Sequence, residues 1–425
     1  MEQRIKLCPL DNGFENAKKL QEALDKGGDV IVEGPGYYRI SETLYLSDHT
    51  HLTFAEGVYI VRMPSVEGFN RYFISNKGIF EGKVNEDISI TGLYLNANGV
   101  AHTDPTLQKD NGNILGARGH LMFSFVKDLT IKDIVIPDLC PADYGIQIAN
   151  FENVLVENIR IEGDKDGIHF GPGKNFVVRH GIFRTHDDPV ALNAFDYAGS
   201  NTNPGWIENG LIEDCYDLND ERDVGMCFFA RMLCGGWQDW FEGMAVQQSD
   251  AAVLDGKLYR VRMKPSFEKF ISTTPPTHEK GFAELDGITW IRTVDNTGYS
   301  AGCRNIRFKD IYIQRNRKCV FGFVQEVSEY CRSYFENSES PLQENIIFEN
   351  VNVMGNVEMF SWINSPVDNV TLKDCKIKDA KIVFEPVYKE GLLYPENSKI
   401  YLDNTEVRDD FLVAYGKELS VEKIN

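Results

Sequence analysis

Leu129-Thr-Ile-Lys-Asp-Ile-Val-Ile136 returns as Val154-Leu-Val-Glu-Asn-Ile-Arg-Ile161 and again as Phe176-Val-Val-Arg-His-Gly-Ile-Phe183. The same phrase recurs as Ile306-Arg-Phe-Lys-Asp-Ile-Tyr-Ile313, Ile346-Ile-Phe-Glu-Asn-Val-Asn-Val353 and Val370-Thr-Leu-Lys-Asp-Cys-Lys-Ile377; the starts at 129, 154 and 176, and again at 346 and 370, are 22 to 25 residues apart. Each copy is a short alternating strand, a polar pair ending mostly in Asp or Asn (Asp133, Asn158, Asp310, Asn350, Asp374), and a second apolar strand. Period-2 alternation with a bend residue between strands describes one coil of a parallel β-solenoid. Leucine-rich repeats have a similar period, but their Leu-x-x-Leu-x-Leu spacing is missing and β-branched residues dominate, so a β-helix is the better reading.

Outward from the repeats, Phe14 to Leu24 predicts a short amphipathic helix. Val30 to Tyr38 then leads into strands at Thr43 to Leu46 and His51 to Phe54. A solenoid must cover its terminal apolar face, and this helix is the natural N-terminal cap. The rhythm breaks between about 217 and 300 and resumes at Arg304. The chain therefore divides into an N-terminal β-helix part with its cap (1–216), an insertion (217–300) carrying a small β module near 245–293, and C-terminal coils (301–425). The module's Gly256-Lys-Leu-Tyr259 and Asp286-Gly-Ile-Thr-Trp290 strands resemble small β modules of carbohydrate-processing and phage-tail proteins. Tyr259 and Trp290 are expected to form the core of that module.

Composition narrows the function. The chain has 425 residues with 44 basic against 64 acidic side chains, a formal charge of −20. That balance speaks against nucleic acid and anionic lipid as partners, because both bind through clustered Lys and Arg. No run of about 18 apolar residues occurs, so no membrane span is expected. The nine cysteines include no C-x-x-C pair and several lie inside strand-like runs, which reads as mostly reduced core thiols. This leans toward a cytoplasmic protein, or a periplasmic or secreted one if a signal peptide has been removed. A homo-oligomer is left open.

The chemistry-bearing stretch is Asp166-Gly-Ile-His169 followed by Arg184-Thr-His-Asp-Asp-Pro-Val-Ala-Leu192. It places three carboxylates within two consecutive coils. Adjacent strands lie about 4.8 Å apart, so Asp166, Asp187 and Asp188 should crowd one patch, and at least one should keep its proton near neutral pH. Paired carboxylates of this kind can protonate a leaving oxygen while activating water, with inversion when acid and base are roughly 6.5–9.5 Å apart. Side chains alternate along a strand, so Asp187 and Asp188 can share a cleft only at a bend or bulge; if Asp188 points inward, a pairing role follows.

From the cap through the coils the sequence resembles the pectate-lyase-like right-handed parallel β-helix superfamily, and these acidic segments look most like glycoside hydrolase family 28, the polygalacturonases. The family reads Asn-Thr-Asp-Gly one coil before Thr-Gly-Asp-Asp-Cys-Ile-Ala-Ile. Here these read Asp164-Lys-Asp-Gly167 and Thr185-His-Asp-Asp-Pro-Val-Ala-Leu192. The resemblance implies Asp187 as general acid, with Asp166 and Asp188 holding the hydrolytic water. The family's Gly-His-Gly and Arg-Ile-Lys elements, which bind the galacturonate carboxylate, are absent, and the resemblance to family 110 α-galactosidases, which carry inserted β modules, favours a neutral sugar.

His169 and His186 are candidates to donate to a sugar hydroxyl or tune a carboxylate. Arg231, Trp237 and Trp240 are candidates for a subsite wall, where an aromatic face stacks on a pyranose. The acidic run Asp217, Asp220, Glu221, Asp223 lacks calcium-loop spacing and reads as a solvated loop. No metal site or cofactor is expected. The resulting expectation is an all-β, right-handed parallel β-helix that hydrolyses a glycosidic bond in an oligo- or polysaccharide by inverting, exo action, with no nucleic-acid or membrane partner. Its rivals are a polysaccharide lyase of the same fold and a non-catalytic carbohydrate-binding or adhesion protein.

Overall fold

The computed structural model describes residues 2–66, 68–102, 116–140, 142–221, 228–295, 298–333, 338–385, 398–414 and 420–424. Its backbone is a right-handed parallel β-helix. One stack of parallel strands runs from Gly119–Leu139 through Tyr144–Gly163, Gly173–Thr185, Ile207–Asp217, Cys303–Ile313, Glu344–Val353, Asn369–Lys373 and Lys399–Asp403 to Ser420–Ile424. Beside it runs a stack of shorter strands: Ile168–Phe170, Val190–Asn193, Ala230–Leu233, Arg317–Val324, Val357–Ile363, Lys381–Phe384 and Leu412–Ala414. The helix therefore continues through part of the 217–300 region, because Ala230–Leu233 pairs with a coil strand on each side.

The repeat positions explain the shape. Asp133, Asn158, Asp310, Asn350 and Asp374 all sit at φ between 50° and 56°, in the left-handed region that Asn and Asp tolerate best among residues with a side chain. A second corner, five residues earlier, uses Asp128, Asn153, Asn175, Asn209, Asn305 and Asn345 in the same conformation. Their side chains bond from coil to coil at 2.8 to 3.2 Å. Between the corners, the inward positions stack in register as Ile131, Val156, Val178, Ile212, Phe308, Phe348, Leu372 and Leu402, all buried. This ladder is the core.

The cap helix spans Phe14–Leu24, the expected bounds, and buries Ala17, Leu20, Ala23 and Leu24. A strand not anticipated from the sequence, Gln3–Ile5, precedes it and pairs with Gly28–Val32. Outside the helix, Gln238–Asp239, Ala251–Leu254, Lys257–Val261, Phe282–Leu285 and Ile288–Asp295 form a separate five-stranded sheet. Tyr259 and Trp290 are buried at its centre with Met244, Val246 and Val261.

The acidic run is not a solvated loop. Asp217 is fully buried and takes two contacts from Arg317, at 2.5 and 3.0 Å. Asp220 is nearly buried against Arg315 at 3.2 Å. Glu221 is exposed, and Asp223 lies outside the described residues. The cysteines at 140, 215, 234, 303, 319, 331 and 375 are free and buried, and Cys8 is free and exposed. Among the described residues no helix is long and apolar enough to cross a membrane.

Candidate active site

One coil here is 22 residues, because Ile168 pairs with Val190 and Phe170 with Leu192. Extending that register by the Gly167 N–H to Asp188 O bond, 2.9 Å, sets Asp166 opposite Asp188 and Lys165 opposite Asp187. Both acids of the Asp187-Asp188 pair lie in the bend between Gly173–Thr185 and Val190–Asn193, outside either strand. Strand alternation therefore does not separate them, and one oxygen from each of Asp166, Asp187 and Asp188 lies within 4.8 Å of the others.

The three carboxylates have different surroundings. Asp188 points inward and is fully buried; it accepts from the Phe228 N–H at 2.8 Å and faces Arg231 Nε at 3.2 Å. Asp166 is also buried, with Oδ2 2.8 Å from His169 Nδ1. Asp187 keeps 17% of its side chain exposed and forms an ion pair with Lys165. Burial, reinforced by the charge of Asp187, raises the Asp166 carboxyl well above the usual range. Burial pushes Asp188 up to about 8, with Arg231 opposing the shift. Burial also pushes His169 down to about 3, so its ring is neutral.

A fourth acid, Asp196, completes the cluster. It is buried, accepts from Asn193 Nδ2 at 2.7 Å and lies 3.7 Å from Arg231 Nη2. Among the described residues, Lys165 and Arg231 are the Lys and Arg side chains in ion-pair contact with these four carboxylates. With Asp166, Asp188 and Asp196 buried, that imbalance is relieved by protons bound to the acids. Because Lys165, Arg231, His169 and the Phe228 N–H already face the carboxylate oxygens, the donor set suits proton transfer better than a divalent cation, which would be set against two fixed positive charges.

The predicted binding residues divide. His169 is buried, stacked on Tyr144 with centroids 4.2 Å apart, and turned to Asp166. His186 is half-buried beside Asp187. Arg231 is brought to the carboxylates as their counter-ion, and one-fifth of its side chain stays exposed. Trp237 is a correction: it is fully buried, packed near-parallel on Phe195 at 5.8 Å inside the main core, and cannot stack on a sugar. Trp240 belongs to the inserted module, where its indole donates to Ser272 Oγ at 2.9 Å. Sequence reasoning passed over Lys165, Asn193 and Asp196. Lys165 had a signal, since it stands directly before Asp166 and one coil from Asp187; Asp196 had none that separates it from an ordinary loop acid.

No family model matches the chain. The plasmin and fibronectin-binding protein A of Streptococcus pneumoniae is 29% identical over 223 residues, covering 48% of this chain and 29% of that protein. The chain therefore matches less than a third of that relative's length. Among solved structures, the family 28 exopolygalacturonase of Yersinia enterocolitica aligns with a TM-score of 0.52 at 13% identity, covering 100% of this chain and 78% of that one. The polygalacturonase of Erwinia carotovora aligns at a TM-score of 0.48 and 11% identity over 98% of this chain and 96% of that one. The chain shares the pectate-lyase-like parallel β-helix fold with family 28 polygalacturonases.

Proposed function

We propose that this protein hydrolyses a glycosidic bond, with Asp166, Asp187 and Asp188 as its reacting and supporting carboxylates. One observation carries the reading: three acids meet within 4.8 Å, with Asp187 paired to Lys165 while Asp166 and Asp188 are held toward their protonated forms. A proton donor and a charged acceptor side by side are what glycoside hydrolysis needs.

The roles differ from those the family resemblance implies. An ion pair with Lys165 favours the ionised form of Asp187, which suits it to take a proton from the attacking water. Asp166, held toward its protonated form, is then the proton source for the departing glycosidic oxygen as the bond to the anomeric carbon breaks; because Asp166 is buried, this step requires substrate binding to open a path to it. Asp188, fixed by Phe228 N–H and Arg231, positions the pair. The approach of the carboxylate oxygens is closer than the roughly 6.5–9.5 Å of an inverting pair, so spacing lends no support to inversion. Exo action fits the inserted module, whose Arg260 donates to the Asp196 carbonyl at 2.5 Å and whose Ser249 accepts from the Ala198 N–H at 2.8 Å. The module thus stands against the loop beside the acids, and on this reading it limits substrate access from that side.

The test is a screen of wild type and Asp187→Asn against neutral and uronic oligosaccharides, reading new reducing ends and the ultraviolet absorbance of unsaturated sugars together. Reducing ends without absorbance, lost in the variant, are the expected result. Absorbance would transfer the protein to the lyases. Random internal cleavage of a polymer would overturn the exo assignment.

A second reading, glycan binding or adhesion without catalysis, is favoured by the similarity to a pneumococcal binding protein over 223 residues. Binding that survives Asp187→Asn, with no turnover by wild type, would establish it.

A further inference from the structure

A cavity of about 430 Å³ lies further along the short-strand face and is lined by Phe228, Lys318, Cys319, Glu358, Met359, Trp362 and Glu385. It is physically tied to the acids. In strand register, His169 is followed by Ala191, Arg231, Gly322 and Trp362 on successive coils. At about 4.8 Å per coil, Trp362 stands about 10 Å along the same face from Arg231.

Phe228 links the two places. Its N–H donates to Asp188 Oδ1 at 2.8 Å and its carbonyl accepts from Arg317 Nη1 at 3.0 Å. Arg317 is itself pinned by the buried Asp217. The Phe228 ring lies over Gly322, where an added Cβ would come within 2.6 Å of it. Only a residue without a side chain lets the ring settle there. The ring ends within 5° of parallel to the half-exposed Trp362, centroids 6.4 Å apart. Glu385 holds the indole N–H at 3.1 Å.

We propose that Phe228 and Trp362 form a sugar-stacking subsite for a neutral pyranose unit of the oligosaccharide bound at the carboxylates; this rests on the carbohydrate reading above. Aromatic faces offer an apolar, flat surface to the C–H face of a pyranose, and the rim groups bond its hydroxyls. Lys318 against Glu358 and Glu385 leaves the rim acidic, in a chain of charge −20, which disfavours a uronate. Arg231, the cation on the path between the two places, is already engaged by Asp188 and Asp196.

The test is calorimetric binding of neutral gluco-, galacto- and xylo-oligosaccharides of two to five units, and of galacturonate oligomers, to wild type, Trp362→Ala, Glu385→Gln and Asp187→Asn. Trp362 is on the surface, so its removal leaves the core intact, and Glu385→Gln probes the rim without touching either ring. We expect a neutral oligosaccharide of three or more units to bind wild type and, as the catalytically silenced background, Asp187→Asn, and to bind Trp362→Ala about three- to tenfold more weakly than wild type, as loss of one aromatic face produces. Unchanged affinity in Trp362→Ala, preference for galacturonate, or no neutral oligosaccharide bound by wild type would overturn the subsite. Because binding is read without turnover, a wild type that binds but does not cleave refutes the hydrolase reading and leaves the subsite standing.

Discussion

Two arginine–aspartate contacts in the helix are built differently. Arg317 and Asp217 are both fully buried and meet through two contacts of 2.5 and 3.0 Å, and Arg317 has a further bond to the Phe228 carbonyl. Arg231 reaches Asp188 at 3.2 Å and Asp196 at 3.7 Å, and keeps one-fifth of its side chain exposed. A saturated bidentate pair fixes charge and geometry together. A cation divided among several acids leaves them short of positive charge, and protons make up the difference. The first arrangement holds a backbone in place, and the second leaves protons on its buried acids.

The largest effect should come from breaking the saturated pair. Arg317→Met leaves Asp217 as an uncompensated buried charge, and about 3–5 kcal/mol of stability should be lost, measured by urea unfolding. Adding Asp217→Asn should restore part of it. A loss no greater than that of a surface variant would remove the distinction between the two pairs.

Arg231→Met should cost less than Arg317→Met near neutral pH, because Asp188, pushed up to about 8, is held toward its neutral form there and depends little on the guanidinium. The deficit should grow as pH rises past 8, the region in which Asp188 ionises. Equal deficits at pH 6 and pH 9 would contradict this.

Asp188→Asn addresses the same proton by linkage. Its folded pKa, about 8, lies above the unfolded value near 4, so the folded state binds the extra proton between those limits. Its contribution is fully present below the unfolded value and is lost as pH rises through the folded one. The wild-type melting temperature should therefore decline across that window, and the variant should show a shallower decline. Identical slopes would place the proton on another group.

Much of this was legible because β-helix coils are local. The bend residues Asp133 and Asn158 and the helix Phe14–Leu24 follow from short-range patterning, and the structure has them where the pattern put them. The site was legible only to within one residue. A coil of 22 residues pairs Asp166 with Asp188 and Lys165 with Asp187, a partnership the motif alone does not give; in a sheet one step of register changes every partner. Asp217 and Trp237 were misread for a different reason. Asp217 finds Arg317 100 residues later, across the insertion, and nothing near either residue announces the other. Trp237 looks like a surface aromatic beside an insertion until the coil that buries it is built.

The smallest effect belongs to a third pair that separates geometry from burial. Arg408 contacts both oxygens of Asp410, at 3.1 and 2.7 Å, so its geometry is nearly as good as that of Arg317 with Asp217, yet both side chains are 62% exposed. Water and salt screen such a contact, and holding two mobile side chains offsets what attraction remains. Asp410→Asn, which leaves Arg408 on the Phe411 ring, should give a melting temperature indistinguishable from wild type at physiological salt. If it instead destabilises the protein as much as Arg317→Met, bidentate geometry alone governs these pairs, and the division between a pair that fixes the fold and a cluster that holds protons loses its basis in burial.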